Sequence, residues 1–175
     1  MVDAKAIAHS FPPIASHDAR VLILGSMPGQ ASLDAQQYYA YPRNAFWRIM
    51  ADLLGFDAAL PYTQRCEALI VARVAVWDVM QSCVRPGSLD SAIVESTIVP
   101  NDFTAFLDQH PKIREVCFNG AKAESSFKKH VMSELGPAGS RLAYLRLPST
   151  SPAHASLSFD AKRDAWHESL QPLVI

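Results

Sequence analysis

Three tyrosines, an arginine and an asparagine fall within seven residues of this chain, in Tyr38-Tyr-Ala-Tyr-Pro-Arg-Asn44. Each type has a chemical use. A flat aromatic can stack on a nucleobase, an interaction worth roughly 1–3 kcal/mol. The side-chain carbonyl of asparagine can position a water molecule. A helix pattern begins just afterwards, and a helix N-terminus offers N–H donors to an anion such as phosphate. The same residues also suit a structural purpose. Tyr38, Tyr39 and Tyr41 would cover the edge of a core, and Asn44 would cap the helix. Residue types alone leave both readings open.

A second polar stretch is Leu147-Pro-Ser-Thr-Ser-Pro-Ala-His-Ala-Ser156. Its hydroxyls, backbone N–H groups and His154 could grip phosphates, contacts that position a nucleic acid without reading its sequence. A serine-rich surface turn with an exposed histidine is the plainer alternative.

These stretches need elements to hold them. Arg20-Val-Leu-Ile-Leu-Gly25 is a short apolar run ending in glycine and reads as a buried strand. Val74-Ala-Val-Trp77, Glu115-Val-Cys-Phe118 and Leu142-Ala-Tyr-Leu-Arg-Leu147 read as three more. Helices are expected between them. Phe46, Ile49, Met50, Leu53 and Leu54 form one apolar face before a stop at Gly55. Residues 64–72 form the next helix, and Asp102 opens another through Phe106 and Leu107. Ala123, Phe127 and Val131 mark a fourth, and Asp160 caps a last one containing Trp166 and Leu170.

This alternation predicts an α/β fold of three layers, αβα, with a central and mainly parallel four-stranded sheet. Ligands bind such sheets outside the carboxyl ends of the strands. The candidate site is therefore residues 26–44, 78–88, 119–122 and 148–158. The first of these connections far exceeds the usual two to six residues. We expect one domain over residues 1–175, with residues 1–19, which carry Pro12-Pro13, wrapping the surface.

Composition sets limits. Hydrophobic residues make up 49% of the chain and charged residues 19%, as in ordinary globular proteins. No apolar run approaches the roughly 20 residues of a membrane span, and residues 1–20 show no secretory signal pattern. Cys66, Cys83 and Cys117 are odd in number and widely spaced, which speaks against a disulfide framework or a zinc site and for a reducing, cytoplasmic setting. The net charge of −1 gives no global attraction to nucleic acid. A local patch from Arg43, Lys122, Lys128 and Lys129 would have to supply it.

Gly25-Ser-Met-Pro-Gly29 with Tyr39-Ala-Tyr-Pro-Arg-Asn-Ala-Phe-Trp47, followed by Leu147-Pro-Ser-Thr-Ser-Pro152, resembles the two active-site motifs of the uracil-DNA glycosylase superfamily. It is most similar to the hypoxanthine-DNA (deoxyinosine) glycosylase branch. Trp77-Asp78 and Phe118-Asn119-Gly120-Ala121-Lys122 share the likeness, which spans residues 20–170. The resemblance implies a base-excision repair enzyme that flips a deaminated base, hypoxanthine first, out of DNA and hydrolyses its N-glycosidic bond with a positioned water. It implies no metal, no cofactor and a monomer. Met27 stands where relatives place a catalytic Asp or Asn, and a thioether cannot order water. The resemblance then puts the catalytic role on Asn44 and the stacking role on Tyr39. Met27, Asp78 and Asn119 would complete the base pocket. Arg43, Lys122, Ser149, Thr150, Ser151 and His154 would contact DNA. Leu147 replaces the usual His or Asn of the second motif, and His154 is a possible substitute. Tyr41 replaces a common histidine. A uracil or G·T/G·U mismatch glycosylase is the nearest alternative. A DNA- or nucleotide-binding module without catalysis is another, since Met27 and Leu147 are lost polar positions.

Overall fold

The computed structural model describes residues 7–174. Four strands, β2 (Val21–Gly25), β3 (Val74–Asp78), β6 (Glu115–Asn119) and β7 (Ala143–Leu147), form one sheet in the order β3-β2-β6-β7. All its pairings are parallel. The expected sheet is therefore present, with every strand parallel. Leu22, Ile23 and Leu24 of the central β2 are fully buried, as its unbroken apolar run requires.

Helices cover the sheet in two groups, visible in how the aromatic rings pack. Phe46 of α2 (Phe46–Leu54) meets Trp166 of α8 (Phe159–Val174) edge-on at 6.0 Å, and Trp47 meets Tyr62 of α3 (Tyr62–Val71) at 5.8 Å. Elsewhere Trp77 packs on Phe103 and Phe106 of α4 (Phe103–Gln109), and Phe118 packs on Phe127 of α5 (Ala121–His130), which the short helices α6 (Met132–Leu135) and α7 (Pro137–Ser140) follow. Such aromatic pairs prefer offset or edge-on contacts of this kind.

The helix stops and starts follow local chemistry. Gly55 ends α2 in the left-handed region at φ +76°. The Asp102 carboxylate accepts from the backbone N–H of Ala105 at 3.0 Å and caps α4. The start of α8 differs from expectation. Ser158 Oγ, not Asp160, accepts from the N–H of Ala161 at 3.1 Å, and Asp160 lies inside the first turn.

A second sheet corrects one further expectation. Residues 78–88 do not form a loop, because β4 (Met80–Val84) pairs antiparallel with β1 (Ile7–His9) and with β5 (Val99–Pro100). The described part of the N-terminal stretch supplies a strand partner to β4. It continues to Ile14, which exchanges two 2.9 Å backbone hydrogen bonds with Val76 and occupies the outer edge of β3. Residues 26–44 also hold a short helix, α1 (Gln30–Ala35), that periodicity did not reveal.

Candidate active site

A cleft of about 830 Å³ opens beyond the carboxyl ends of β2, β3, β6 and β7. It draws together Tyr39, Asn44, Asp78, Asn119, Lys122 and the loop after β7, from positions up to 115 residues apart (Tyr39 to His154). A parallel sheet places its functional loops at this end.

Thr150 ties these loops to one another. Its backbone carbonyl accepts from the N–H of Ala45 at 3.0 Å, which joins the second motif to the start of α2. Its own N–H donates to Asn119 Oδ1, and its hydroxyl accepts from Asn119 Nδ2, both at 2.9 Å. From below, Trp166 Nε1 donates to the Pro148 carbonyl at 2.8 Å and Lys162 Nζ to the Ser151 carbonyl at 3.0 Å. Gly120 adopts φ +95°, and a Cβ there would lie 3.0 Å from Ser149 Cβ, so this loop packs against bare backbone.

The first motif is held from the other side. Arg85 Nη2 donates to the Pro28 carbonyl at 2.6 Å, and Ser26 Oγ donates to Asp90 Oδ1 at 2.6 Å. Met27 is buried between Ala8, Met80, Cys83 and Ile93, with part of its surface in the cleft wall.

The three tyrosines divide their roles. Tyr38 is a core residue whose hydroxyl donates to the Pro12 carbonyl at 2.8 Å, so for this tyrosine the structural reading holds. Tyr41 is exposed at the lip. Tyr39 forms the wall, in the left-handed region at φ +54°, with its ring stacked on Phe46 at 4.0 Å. Strain of this kind at a non-glycine residue costs of order 1–3 kcal/mol and gathers at functional sites. Asn44 faces the cleft and is also a cap: its Oδ1 accepts from the N–H of Phe46 at 3.0 Å.

Asp78 is the least ordinary group here. It is 3% exposed, and its Oδ2 is closed off from solvent with no hydrogen-bond partner. Burial, reinforced by Asp90 and opposed by Arg85, pushes its carboxyl up to about 7. Gly25 makes room for it, since a Cβ there would lie 2.5 Å from Asp78 Oδ1 and 3.1 Å from the Tyr39 hydroxyl. That hydroxyl is also buried without a partner, and burial and then Asp78 raise its pKa, while Asn119, whose amide groups are turned to Thr150, opposes the shift.

The expected DNA contacts are distributed unevenly. Arg43 is exposed on the first loop, outside the cleft wall. Lys122 lines the cleft but is ion-paired with Glu95 at 2.6 Å, and Lys129 and His130 reach the same carboxylate at 3.4 and 3.3 Å. Lys122 above all pulls Glu95 down to about 2. Lys128 pairs with Glu124. The basic patch is therefore largely neutralised from within. Thr150 is 1% exposed, so its side chain serves the loop junction and has no surface for a phosphate. Ser149 and Ser151 line the cleft, and their hydroxyls accept from the N–H groups of Ser151 and Ala153. Half-buried His154 lines the cleft with Nε2 3.3 Å from Ser156 Oγ. Leu147 is 2% exposed and fills the core.

Sequence reading missed Arg85 and Lys162. The second had a signal: Lys162 precedes Trp166 and Leu170 at spacings of four on one helix face, where a lysine is out of place unless it has a fixed acceptor. Among the described residues no cluster of three His, Cys, Asp or Glu could hold a metal ion.

The family model described as the uracil DNA glycosylase superfamily matches residues 12–171. A protein named hypoxanthine DNA glycosylase from Methanosarcina barkeri (strain Fusaro / DSM 804) is 38% identical over 114 residues, covering 65% of this chain and 71% of that one. A protein of the same name from Methanosarcina acetivorans is 38% identical over 118 residues, 67% of this chain and 73% of that one. The solution NMR structure of a Methanosarcina acetivorans protein provisionally described as a uracil DNA glycosylase superposes with a TM-score of 0.78 at 32% identity, covering 95% of this chain and 98% of that one.

Proposed function

We propose, from the premise that this chain belongs to the uracil DNA glycosylase superfamily, that it excises a deaminated base from DNA, hypoxanthine first. The observation that carries the reading is Asn44. It is a side-chain amide facing the cleft in a first motif whose usual polar position is Met27. The relatives named hypoxanthine DNA glycosylase support the choice of base.

A base within a duplex is out of reach and must be flipped into the cleft, at a cost of a few kcal/mol. Tyr39 then stacks on it. The bond to deoxyribose breaks with oxocarbenium character on the sugar and negative charge on the base. Fixed donors around the base stabilise that charge. Asn44 Oδ1 gives one lone pair to the Phe46 N–H and has a second for water. An amide is a poor proton acceptor, so its role is to position the nucleophile. Arg43, Ser149, Ser151 and His154 meet the DNA backbone, and Asn119 acts by fixing Thr150.

The reading includes a single domain working as a monomer in the cytoplasm. Three free cysteines, two of them buried, suit a reducing compartment. Among the described residues no helix is long and apolar enough to cross a membrane.

Labelled oligonucleotides carrying hypoxanthine, uracil or xanthine, treated with the protein and then with alkali, test the reading. Strand cleavage at hypoxanthine above uracil is expected. Cleavage at uracil alone would favour the mismatch branch. Binding without any cleavage would favour a non-catalytic module.

A further inference from the structure

Lys162 is a cation on the inward face of α8, in line with Trp166 and Leu170, and is 5% exposed. Its Nζ donates to the Ser151 carbonyl at 3.0 Å, and among the described residues no carboxylate pairs with it. The acidic neighbours on its own helix, Asp160 and Asp164, pair with Arg163 instead. Burying an ammonium without a counter-charge is expensive, and burial pulls its pKa down. The Ser151 carbonyl needs a donor, and the N–H of His154 already supplies one at 3.1 Å. It does not need a full charge, and an apolar residue would continue the face of Trp166 and Leu170 without the desolvation cost.

The loop above Lys162 is arranged to give hydrogen bonds to an anion. Ser149 Oγ and Ser151 Oγ accept from the N–H groups of Ser151 and Ala153, both at 3.2 Å. Neither hydroxyl donates to an acceptor among the described residues, so both protons are free for the cleft that the two serines line. The carbonyls that would repel an anion are taken up from behind, Pro148 by Trp166, Thr150 by the N–H of Ala45 and Ser151 by Lys162. We infer that Lys162 is a positioning residue for DNA, whose buried charge has as its counter-ion the backbone phosphate that receives the Ser149 and Ser151 hydroxyls. The inference rests on the base-excision reading, which supplies the DNA, and adds the charge that seats its backbone on the second motif. Lys162 acts through the Ser151 carbonyl and touches neither base nor sugar.

Binding of a 2′-fluoro-deoxyinosine oligonucleotide, whose fluorine opposes oxocarbenium charge and so blocks cleavage, tests this. Affinity is measured by fluorescence anisotropy between about 50 and 200 mM salt for wild type, Lys162→Gln and Lys162→Met. The Gln carboxamide can still donate to the Ser151 carbonyl but carries no charge, and Met fills the space without doing either. Both variants are expected to bind about tenfold more weakly at the lowest salt, with a salt-dependence slope lower by about one. Uncharged methylphosphonates in place of the two phosphates flanking the deoxyinosine should weaken wild type more than Lys162→Gln. A Gln variant with wild-type affinity and slope, or equal losses on methylphosphonate substitution, would overturn the inference. If the Met variant fails to fold, wild type and the Gln variant still decide. Salt-dependent binding by wild type without cleavage of unmodified hypoxanthine, uracil or xanthine oligonucleotides would instead overturn the base-excision reading.

Discussion

The side-chain oxygen of Asn44 accepts the backbone N–H of Phe46 at 3.0 Å, so the residue facing the cleft also starts the helix behind it. The two roles separate by substitution. Asn44→Ala should cost about 0.5–2 kcal/mol of stability through the lost cap, measured by denaturant unfolding. Single-turnover cleavage per folded molecule should fall by at least a hundredfold while DNA binding persists. Asn44→Asp should keep the cap, which isolates the catalytic loss. Full cleavage by folded Asn44→Ala protein would leave Asn44 as a cap alone.

Tyr38 and Tyr39 are adjacent yet should fail differently. Tyr38→Ala empties a core position and should destabilise by about 3–5 kcal/mol, with activity per folded molecule retained. Tyr39→Ala should chiefly weaken base engagement, by about 1–3 kcal/mol in kcat/KM. Tyr39→Phe removes a buried hydroxyl that has no partner and should not lower the melting temperature.

Asp78 links stability to pH. Its carboxyl is raised in the folded state, to about 7, so folding takes up a proton between roughly pH 4 and 7. The stability contribution is greatest below the unfolded pKa, declines as pH climbs to 7, and is flat above. Asp78→Asn should therefore be more stable than wild type at pH 8, on the order of 1–4 kcal/mol, with the gap closing below pH 4. Urea melts at pH 4, 6 and 8 check the sign.

Glu95 restrains Lys122 and Lys129 but does not reach Arg43. Arg43→Ala should weaken DNA binding across sequences and lower the salt-dependence slope by about one. Glu95→Gln should release Lys122 and Lys129, tighten binding and steepen the slope. Salt-independent binding in all three proteins would exclude phosphate contacts.

The Thr150–Asn119 pair is reciprocal, so removing one partner strands the other. Thr150→Val should cost about 1–3 kcal/mol, and a double-mutant cycle with Asn119→Ala should show coupling above 0.5 kcal/mol.

The four parallel strands were legible because residues such as Leu22, Ile23 and Leu24 are buried on both faces and read as unbroken apolar runs. The second sheet was not. Met80-Gln-Ser-Cys-Val84 alternates weakly between buried and exposed, and its partner is three residues lying more than 70 positions away. Motif resemblance singles out Asn44, Tyr39 and Asp78, and the fold brings all three to one cleft. The capture of Lys122 by Glu95 was not, since the two lie 27 positions apart and composition counts both as free charges. The residue type of Thr150 permits a phosphate contact, and only burial shows where its hydroxyl is spent.

The grip of α8 on the second motif bears on how the site comes into being during translation. Every side chain bordering the cleft is present once residue 154 has emerged from the ribosome. Lys162 and Trp166, which fix the carbonyls of Ser151 and Pro148, have not yet appeared. A nascent chain of that length holds all the reactive groups without the clamp that sets their geometry. Competence should arrive abruptly as the next dozen residues wind into helix, and ribosome-stalled chains ending on either side of Trp166 would reveal the step.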